Sequence, residues 1–444
     1  MTFFALFLKG QTYQPFFCTK VPGYLLLLLC WLYAGKLGAQ SIPNEGYDLS
    51  AFSTQYYSIP FVDLNDQHHR QVVVDREAGQ YLGHPSTVLL DDGQTIYCVY
   101  PKGHGRGPLV MKRSTDGGLS WSQRLEVPPG WASSLEVPTL FPVEDAAGKR
   151  RIIMFSGLYP ARMAITEDEG RTWTDLAAVG DWGGIVVMGD VMELNTGKGH
   201  YMAMFHDDQR FFTHNGRSAE EKNRMQHNQP LFSLYKTFSY DGGLSWSYPQ
   251  AVWASRMVHL CEPGLLRSPD GRQIAALLRE NSRRMNSHII FSEDEGKTWS
   301  APRELPNALT GDRHQALYLP DGRLFISFRD NSPGLSRFRQ LKSACSDCDE
   351  AILRQQAGPV SPTAGDWVAW VGTYEDLLQG REGQYRIRLK DNTRGSDCAY
   401  PALELLPDGT VVATTYGHWE VGEAPYILSV RFKIEELDAL VKKP

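Results

Sequence analysis

One eight-residue pattern occurs four times in this chain and restricts what it can become. The copies are Ser114-Thr-Asp116-Gly-Gly118-Leu-Ser120-Trp121, Thr166-Glu-Asp168-Glu-Gly170-Arg-Thr172-Trp173, Ser239-Tyr-Asp241-Gly-Gly243-Leu-Ser245-Trp246 and Ser292-Glu-Asp294-Glu-Gly296-Lys-Thr298-Trp299. Asp and Ser/Thr side chains bond backbone amides in a tight turn, and Gly supplies a positive φ. Trp then anchors the turn against a sheet. Recurrence at intervals of roughly 50 to 75 residues is the signature of a repeat architecture.

A second repeat has the form polar start, apolar strand, Asp/Gly turn, apolar strand. It covers residues 84–100, 136–157, 190–207, 262–281, 314–331 and 400–417. Turns such as Asp92-Gly93, Asp270-Gly271, Asp321-Gly322 and Asp408-Gly409 are strong hairpin signals. Six hairpins, most followed by two more strands around the Asp/Trp pattern, predict an all-β fold. The expected architecture is a six-bladed β-propeller with four-stranded blades. The stretch 56–74 is expected to lend a strand to the sixth blade and close the ring.

The 444 residues and 42% hydrophobic content suit one propeller domain, expected over residues 40–444. A net charge of −6 speaks against nucleic acid as a partner. Residues 1–39 read as a signal peptide. Lys9 and Lys20 provide its positive region, residues 24–34 an apolar run too short to span a bilayer, and Leu37-Gly38-Ala39 small residues before a cut at Gln40. The expectation is a secreted or periplasmic protein with no membrane attachment after cleavage. Five cysteines remain, so at least one thiol is unpaired, and Cys345-Ser-Asp-Cys348 reads as a local disulfide or two idle thiols. No phosphate loop or dinucleotide fingerprint is present and no cofactor is expected. His68-His69 and His206-Asp207-Asp208 lack the further ligands a metal would need, so no metal is expected either.

Strand parity turns the repeat into a map. First-strand starts and second-strand ends meet on one face near the axis, while the Asp/Trp turns lie on the other. The first strands bring His84, Glu136, Asp190, Glu262, Arg313, His314 and Tyr400 to that face. The second strands and their loops bring Lys102, His104, Arg162, His206, Asp207, Arg279, Arg329, Tyr416 and His418. Buried charge near one axis is costly unless paired or used. A ring of carboxylates, arginines, histidines and tyrosines suits a sugar, so a glycan is the expected partner. The connections 208–231 and 332–365 are long enough to be structureless lids or binding loops on this face, with plain surface insertion an equal reading for the second.

The four turns on a six-bladed propeller resemble the Asp-boxes, or BNR repeats, of the sialidase (neuraminidase) superfamily, in particular its secreted bacterial members. Ala399-Tyr400-Pro-Ala-Leu-Glu is similar to the segment carrying that family's nucleophilic tyrosine. Cys261-Glu262-Pro-Gly is similar to the segment carrying its glutamate partner, and Leu278-Arg279 matches the second of three substrate-binding arginines. The resemblance implies an exo-acting glycoside hydrolase with Tyr400 as nucleophile, Glu262 as its base and retention of configuration. It departs at the first arginine, where Leu82-Gly83-His84-Pro85 stands, and at the acid/base aspartate, where the loop 102–107 holds Lys102, His104 and Arg106 but no carboxylate. Arg313 or Arg329 would serve as the third arginine. His104, His84, Asp207 and Glu136 are candidates for the acid. Two other readings stay open: a glycosidase or polysaccharide lyase acting on a uronic acid or another non-sialic sugar, and a carbohydrate-binding propeller without turnover.

Overall fold

A computed structural model describes residues 49–52, 55–211 and 230–441. The expected leader and most of the connection 208–231 lie outside the described residues. The described part is nearly all β, arranged as six sheets around one axis, a six-bladed β-propeller. Each blade runs antiparallel from an inner strand outwards. The inner strands are Ser86–Leu89, Thr139–Glu144, Ile185–Glu193, Leu260–Arg267, Gly311–Tyr318 and Ala402–Leu405. They coincide with the first arms of the six hairpins in the sequence.

Two blades depart from four strands. The first has three, because after Trp121 the chain returns along the third strand with two separate bonds, Ser122 N to Arg113 O and Leu125 N to Met111 O, and no ladder. The fifth has five, because Phe61–Asp63 adds a parallel outer strand to Tyr385–Lys390. Ring closure follows the expectation for 56–74. Gln71–Asp75 pairs antiparallel with Tyr426–Lys433 as the outer strand of blade six, so the amino-terminal stretch completes the last sheet. That outer strand brings Val74 against Leu82, Tyr100, Tyr416 and Ile427.

The four patterned turns share one bonding scheme. In the last of them Ser292 Oγ donates to Asp294 Oδ1 (2.9 Å) and accepts from Gly296 N (2.9 Å), while Thr298 donates its N–H (2.8 Å) and hydroxyl (2.6 Å) to Asp294. Trp173, Trp246 and Trp299 also bond the carbonyl of the turn glycine, but the Trp121 indole N–H has no partner among the described residues.

Residues 332–365 are not the structureless loop expected. They hold two helices, Pro333–Ala344 and Glu350–Ala357, with a core of Leu335, Phe338, Leu353, Ala357 and Phe52. A proline in the first turn favours the first helix and the Asp349 side chain caps the second. The Cys345–Cys348 disulfide closes the turn between them. Cys98, Cys261 and Cys398 are buried free thiols.

Candidate functional site

The inner strands begin in an unusual backbone state. His84, Val186, Glu262, Arg313 and Ala399 have φ of 54°, 51°, 49°, 55° and 54°, one such residue in each of five blades. None is glycine, and each such conformation costs about 1–3 kcal/mol. In blades three, four and five the ladder register shifts at this point, as in a β-bulge. A bulge re-aims side chains. His84, Glu262 and Arg313 carry the turn themselves, and Ala399 carries it just ahead of Tyr400.

The result is a tight polar cluster. Tyr400 Oη donates to Glu262 Oε1 at 2.6 Å, and Arg279 Nη1 donates to the same oxygen at 2.7 Å. Both Tyr400 and Glu262 are buried. Burial alone would raise the Glu262 carboxyl, but the Arg279 guanidinium outweighs it and holds the group at about 2. Burial and the Glu262 charge push the Tyr400 phenol up. The proton therefore rests on the phenol. The guanidinium carbons of Arg313 and Arg329 lie 5.8 and 5.9 Å from the Tyr400 ring centre. Nη1 of Arg313 is buried without a partner among the described residues, as is Glu262 Oε2.

A second cluster adjoins the first. His84 packs edge-on against Tyr400 at 4.5 Å between ring centres, and His104 against His84 at 4.7 Å. Gly105 N donates to His84 Nδ1 at 3.1 Å, so the ring proton sits on Nε2, facing Tyr416 Oη at 3.2 Å. Burial and the His104 ring hold His84 neutral, well below the ordinary histidine range. His104 reaches the mouth of the site with its side chain 66% exposed, and its Nδ1 lies 3.4 Å from Asp397. Tyr81 Oη lies 2.7 Å from that nitrogen and donates to Asp397 at 2.9 Å. The single Tyr81 proton goes to the carboxylate, so His104 Nδ1 is a donor and Nε2 faces outwards. Burial opposes the Asp397 charge, but hydrogen bonds from His104, His418 and Tyr81 hold its carboxyl far below the usual range.

Several expected site residues serve the scaffold instead. His314 follows the bulge and turns away from the axis. It is fully buried against Phe328, its Nε2 bonds Leu309 O at 2.9 Å, and burial lowers it to about 4. Asp190 accepts from Val191 N (2.8 Å) and from Leu265 N of the next blade (2.7 Å). Burial raises it to about 6. It clasps two blades, and it lines one pocket with Arg313 and Tyr400. Asp207 is fully buried and takes the Phe211 N–H at 3.1 Å, closing its own loop. Glu136 is buried beneath Gly105, accepts from Val137 N at 2.8 Å and is raised by burial to about 7.

Four residues were missed, one of them Arg283, which follows the strand Ile274–Glu280 and donates to Asp312. Asp397 sits in an irregular segment, where strand parity gives no direction; the polar Ser396-Asp397 pair just ahead of Tyr400 was its only signal. Tyr81 precedes the first hairpin. Asp312 is adjacent to Arg313 and, by alternation, would point to the other face; the register shift between Asp312 and Gln315 removes that rule. Among the described residues no group of three or more His, Cys, Asp or Glu is placed to hold a metal ion, and no helix is long and apolar enough to cross a membrane.

No protein-family model matches the chain, and no curated protein sequence does. Solved structures do match. A protein of unknown function from Dyadobacter fermentans is 16% identical, with a TM-score of 0.57 over 82% of this chain and 97% of that one. An intramolecular trans-sialidase from Ruminococcus gnavus, in complex with oseltamivir carboxylate, is 14% identical, with a TM-score of 0.51 over 82% and 98%. A leech intramolecular trans-sialidase is 14% identical, with a TM-score of 0.52 over 83% and 70%. The fold is one that sialidases use. At these identities the likeness covers the propeller and leaves the chemistry to be argued from the site.

Proposed function

We propose that the chain is a retaining, exo-acting glycoside hydrolase of the sialidase-like kind, with Tyr400 as nucleophile and Glu262 as its base. The 2.6 Å bond between the two inside a buried site carries this reading. A phenol is a weak nucleophile at rest, and an adjacent carboxylate that takes its proton activates it. In the first step the Tyr400 Oη–C1 bond forms and the glycosidic C1–O bond breaks. The phenol proton passes to Glu262 Oε1, and the His104 imidazolium gives its Nε2 proton to the departing oxygen. In the second step water attacks C1 and gives a proton back to His104. The Tyr400–C1 bond breaks and the phenolate recovers its proton from Glu262. Two displacements retain the anomeric configuration.

The arrangement supports His104 over the other candidate acids. His84 is kept neutral, while Glu136, Asp190 and Asp207 accept from backbone amides. Asp397 orients the His104 ring from its Nδ1 side, leaving Nε2 for the leaving group. The Cys345–Cys348 disulfide suits the oxidising compartment that the expected leader implies, and it supports the reading of a secreted or periplasmic protein.

The test is release of free sugar from chromogenic glycosides and natural glycans by wild type and Tyr400→Phe. Turnover lost in the variant, with a glycosyl adduct on Tyr400 trapped by a 2-fluoro glycoside and located by mass spectrometry, supports the reading. Turnover that survives Tyr400→Phe refutes it.

A further inference from the structure

Arg279, Arg283 and Arg329 gather on Asp312, and Arg279 also holds Glu262. Arg313 stands beside the same reacting pair with no such partner. It is only 7% exposed, its Nη1 is enclosed, and no nitrogen of its guanidinium makes a hydrogen bond or ion pair among the described residues. The Tyr400 ring at 5.8 Å attracts the charge but leaves the N–H donors unused. A buried ion without a counter-charge is costly, so a chain keeps one where something else brings that charge. The register shift between Asp312 and Gln315 brings Arg313 and Gln315 to one axial cavity of about 220 Å³, which extends from Tyr400 along the inner strand of blade six to Glu404. Two carboxyls line this cavity, and neither bonds the arginine. Asp190 feels the Arg313 charge, but its oxygens take Val191 N and Leu265 N, and burial raises it to about 6. Glu404 takes the Thr87 hydroxyl at 2.6 Å and is raised by burial to about 7. In mildly acidic solution both carry protons, and the Arg313 charge stands alone. His206 also senses Arg313, and burial lowers it to about 3, so it adds no charge there.

We propose that this axial cavity is an anion-binding subsite, separate from the arginine cluster on Asp312, in which the Arg313 guanidinium, assisted by the Gln315 amide, holds one small anion. Arginine takes carboxylate, sulfate and phosphate oxygens through paired N–H donors, and the cavity has room for such a group with a few waters. The anion is either a free inorganic ion or a carboxylate or sulfate group on a sugar seated against Tyr400. The free ion does not depend on the glycosidase reading above. The sugar-borne group rests on that reading only for where the sugar sits.

The experiment is a calorimetric titration of wild type and Arg313→Gln in low-salt MES buffer at about pH 5.5, where Asp190 and Glu404 hold their protons. One arm adds sodium sulfate. The other adds methyl glucuronide, with methyl glucoside as its neutral control. Saturable binding of one sulfate per chain, weakened by ~10-fold or more in Arg313→Gln, identifies a free-ion site. Methyl glucuronide bound ~10-fold or more tighter than methyl glucoside, with that advantage lost in Arg313→Gln, identifies a sugar-borne anion. Both results together, with sulfate competing against the glucuronide, identify one subsite open to either source. The proposal is overturned if wild type binds neither anion, or if a folded Arg313→Gln binds them as wild type does. Should Arg313→Gln fail to fold, Gln315→Leu takes its place: weakening by about threefold supports the subsite and unchanged binding overturns it. Turnover plays no part in these readouts, so failure of the hydrolase reading would show itself separately, in the Tyr400→Phe comparison.

Discussion

Glu136 gives a sharp test of the electrostatics around the site. Its carboxyl is buried and raised by that burial from 4.5 to about 7. A folded-state value above the unfolded one means the native state holds the proton more tightly. Its contribution to stability is therefore complete below about pH 4.5 and is lost as pH rises through 7. A difference of about 2.5 units is worth roughly 3 kcal/mol, of which about 2 to 3 kcal/mol falls between pH 5 and pH 8. Glu136→Gln keeps an oxygen to accept the Val137 N–H and cannot ionise. The variant should lose less stability than wild type across that window, by the same 2 to 3 kcal/mol, and should be the more stable protein at pH 8. Urea unfolding at pH 5 and pH 8 measures the double difference. Asp190 titrates in the same range but is present in both proteins, so its part cancels. With a slope of about 3 kcal/mol per molar urea, the midpoint shifts should differ by close to ~1 M. Parallel pH dependences in the two proteins would refute the assignment of Glu136 as a protonated, buried acid.

Glu262→Gln should lower kcat by about a thousandfold or more, because the phenol loses its base. It should destabilise only modestly, by about 1–3 kcal/mol, since Gln keeps an acceptor for Arg279 and Asp312 still supplies its counter-charge; circular dichroism melts alongside the kinetics separate the two effects. Asp397→Asn should lower kcat for glycosides with poor leaving groups by about 10- to 100-fold and hardly affect dinitrophenyl glycosides; an equal loss on both classes would show that Asp397 does not act through a proton donor. Asp294→Ala removes the acceptor for three bonds to Ser292 and Thr298 and should cost about 1–3 kcal/mol in thermal or urea unfolding, with kcat/KM unchanged because the turn lies on the far face. Removing residues 56–74 strips the outer strand from blade six and should abolish cooperative unfolding; an intact melting transition would contradict ring closure by that strand.

The fold was legible because its signals are local. Asp-Gly between apolar runs specifies a hairpin wherever it occurs, and the Ser/Thr-x-Asp-x-Gly-x-Ser/Thr-Trp turn satisfies its own amides. Strand parity put Tyr400 and Glu262 on one face, and the resemblance of their segments to the sialidase superfamily supplied the pairing. The failures came where alternation breaks. His314 was assigned to the site by a parity that the bulge at Arg313 reverses, and Asp312 was overlooked for the same reason. Positive φ at His84, Glu262 and Arg313 leaves no glycine to mark it, so tertiary packing imposes the conformation. Gly264 shows how closely the blades press there: a β-carbon on it would lie 2.2 Å from His314 O. The helices after Ser332 had signals, Pro333 and Asp349, that a reading for loops passed over.

The same bulges explain how so much charge is held beside one phenol. Glu262 and Asp312 share Arg279, and Asp312 also holds Arg283 and Arg329. In the proposed mechanism, when the phenol proton reaches Glu262, that carboxylate becomes neutral and its claim on Arg279 weakens. A buried guanidinium left without a counter-charge would cost about 3–5 kcal/mol, added directly to the barrier. Asp312, already 3.3 Å from Arg279 Nε, supplies that counter-charge without moving. On that mechanism the carboxylate at the centre of the arginine cluster is the group that lets Glu262 accept a proton, and the bulge at Asp312–Arg313 is what turns it towards the site.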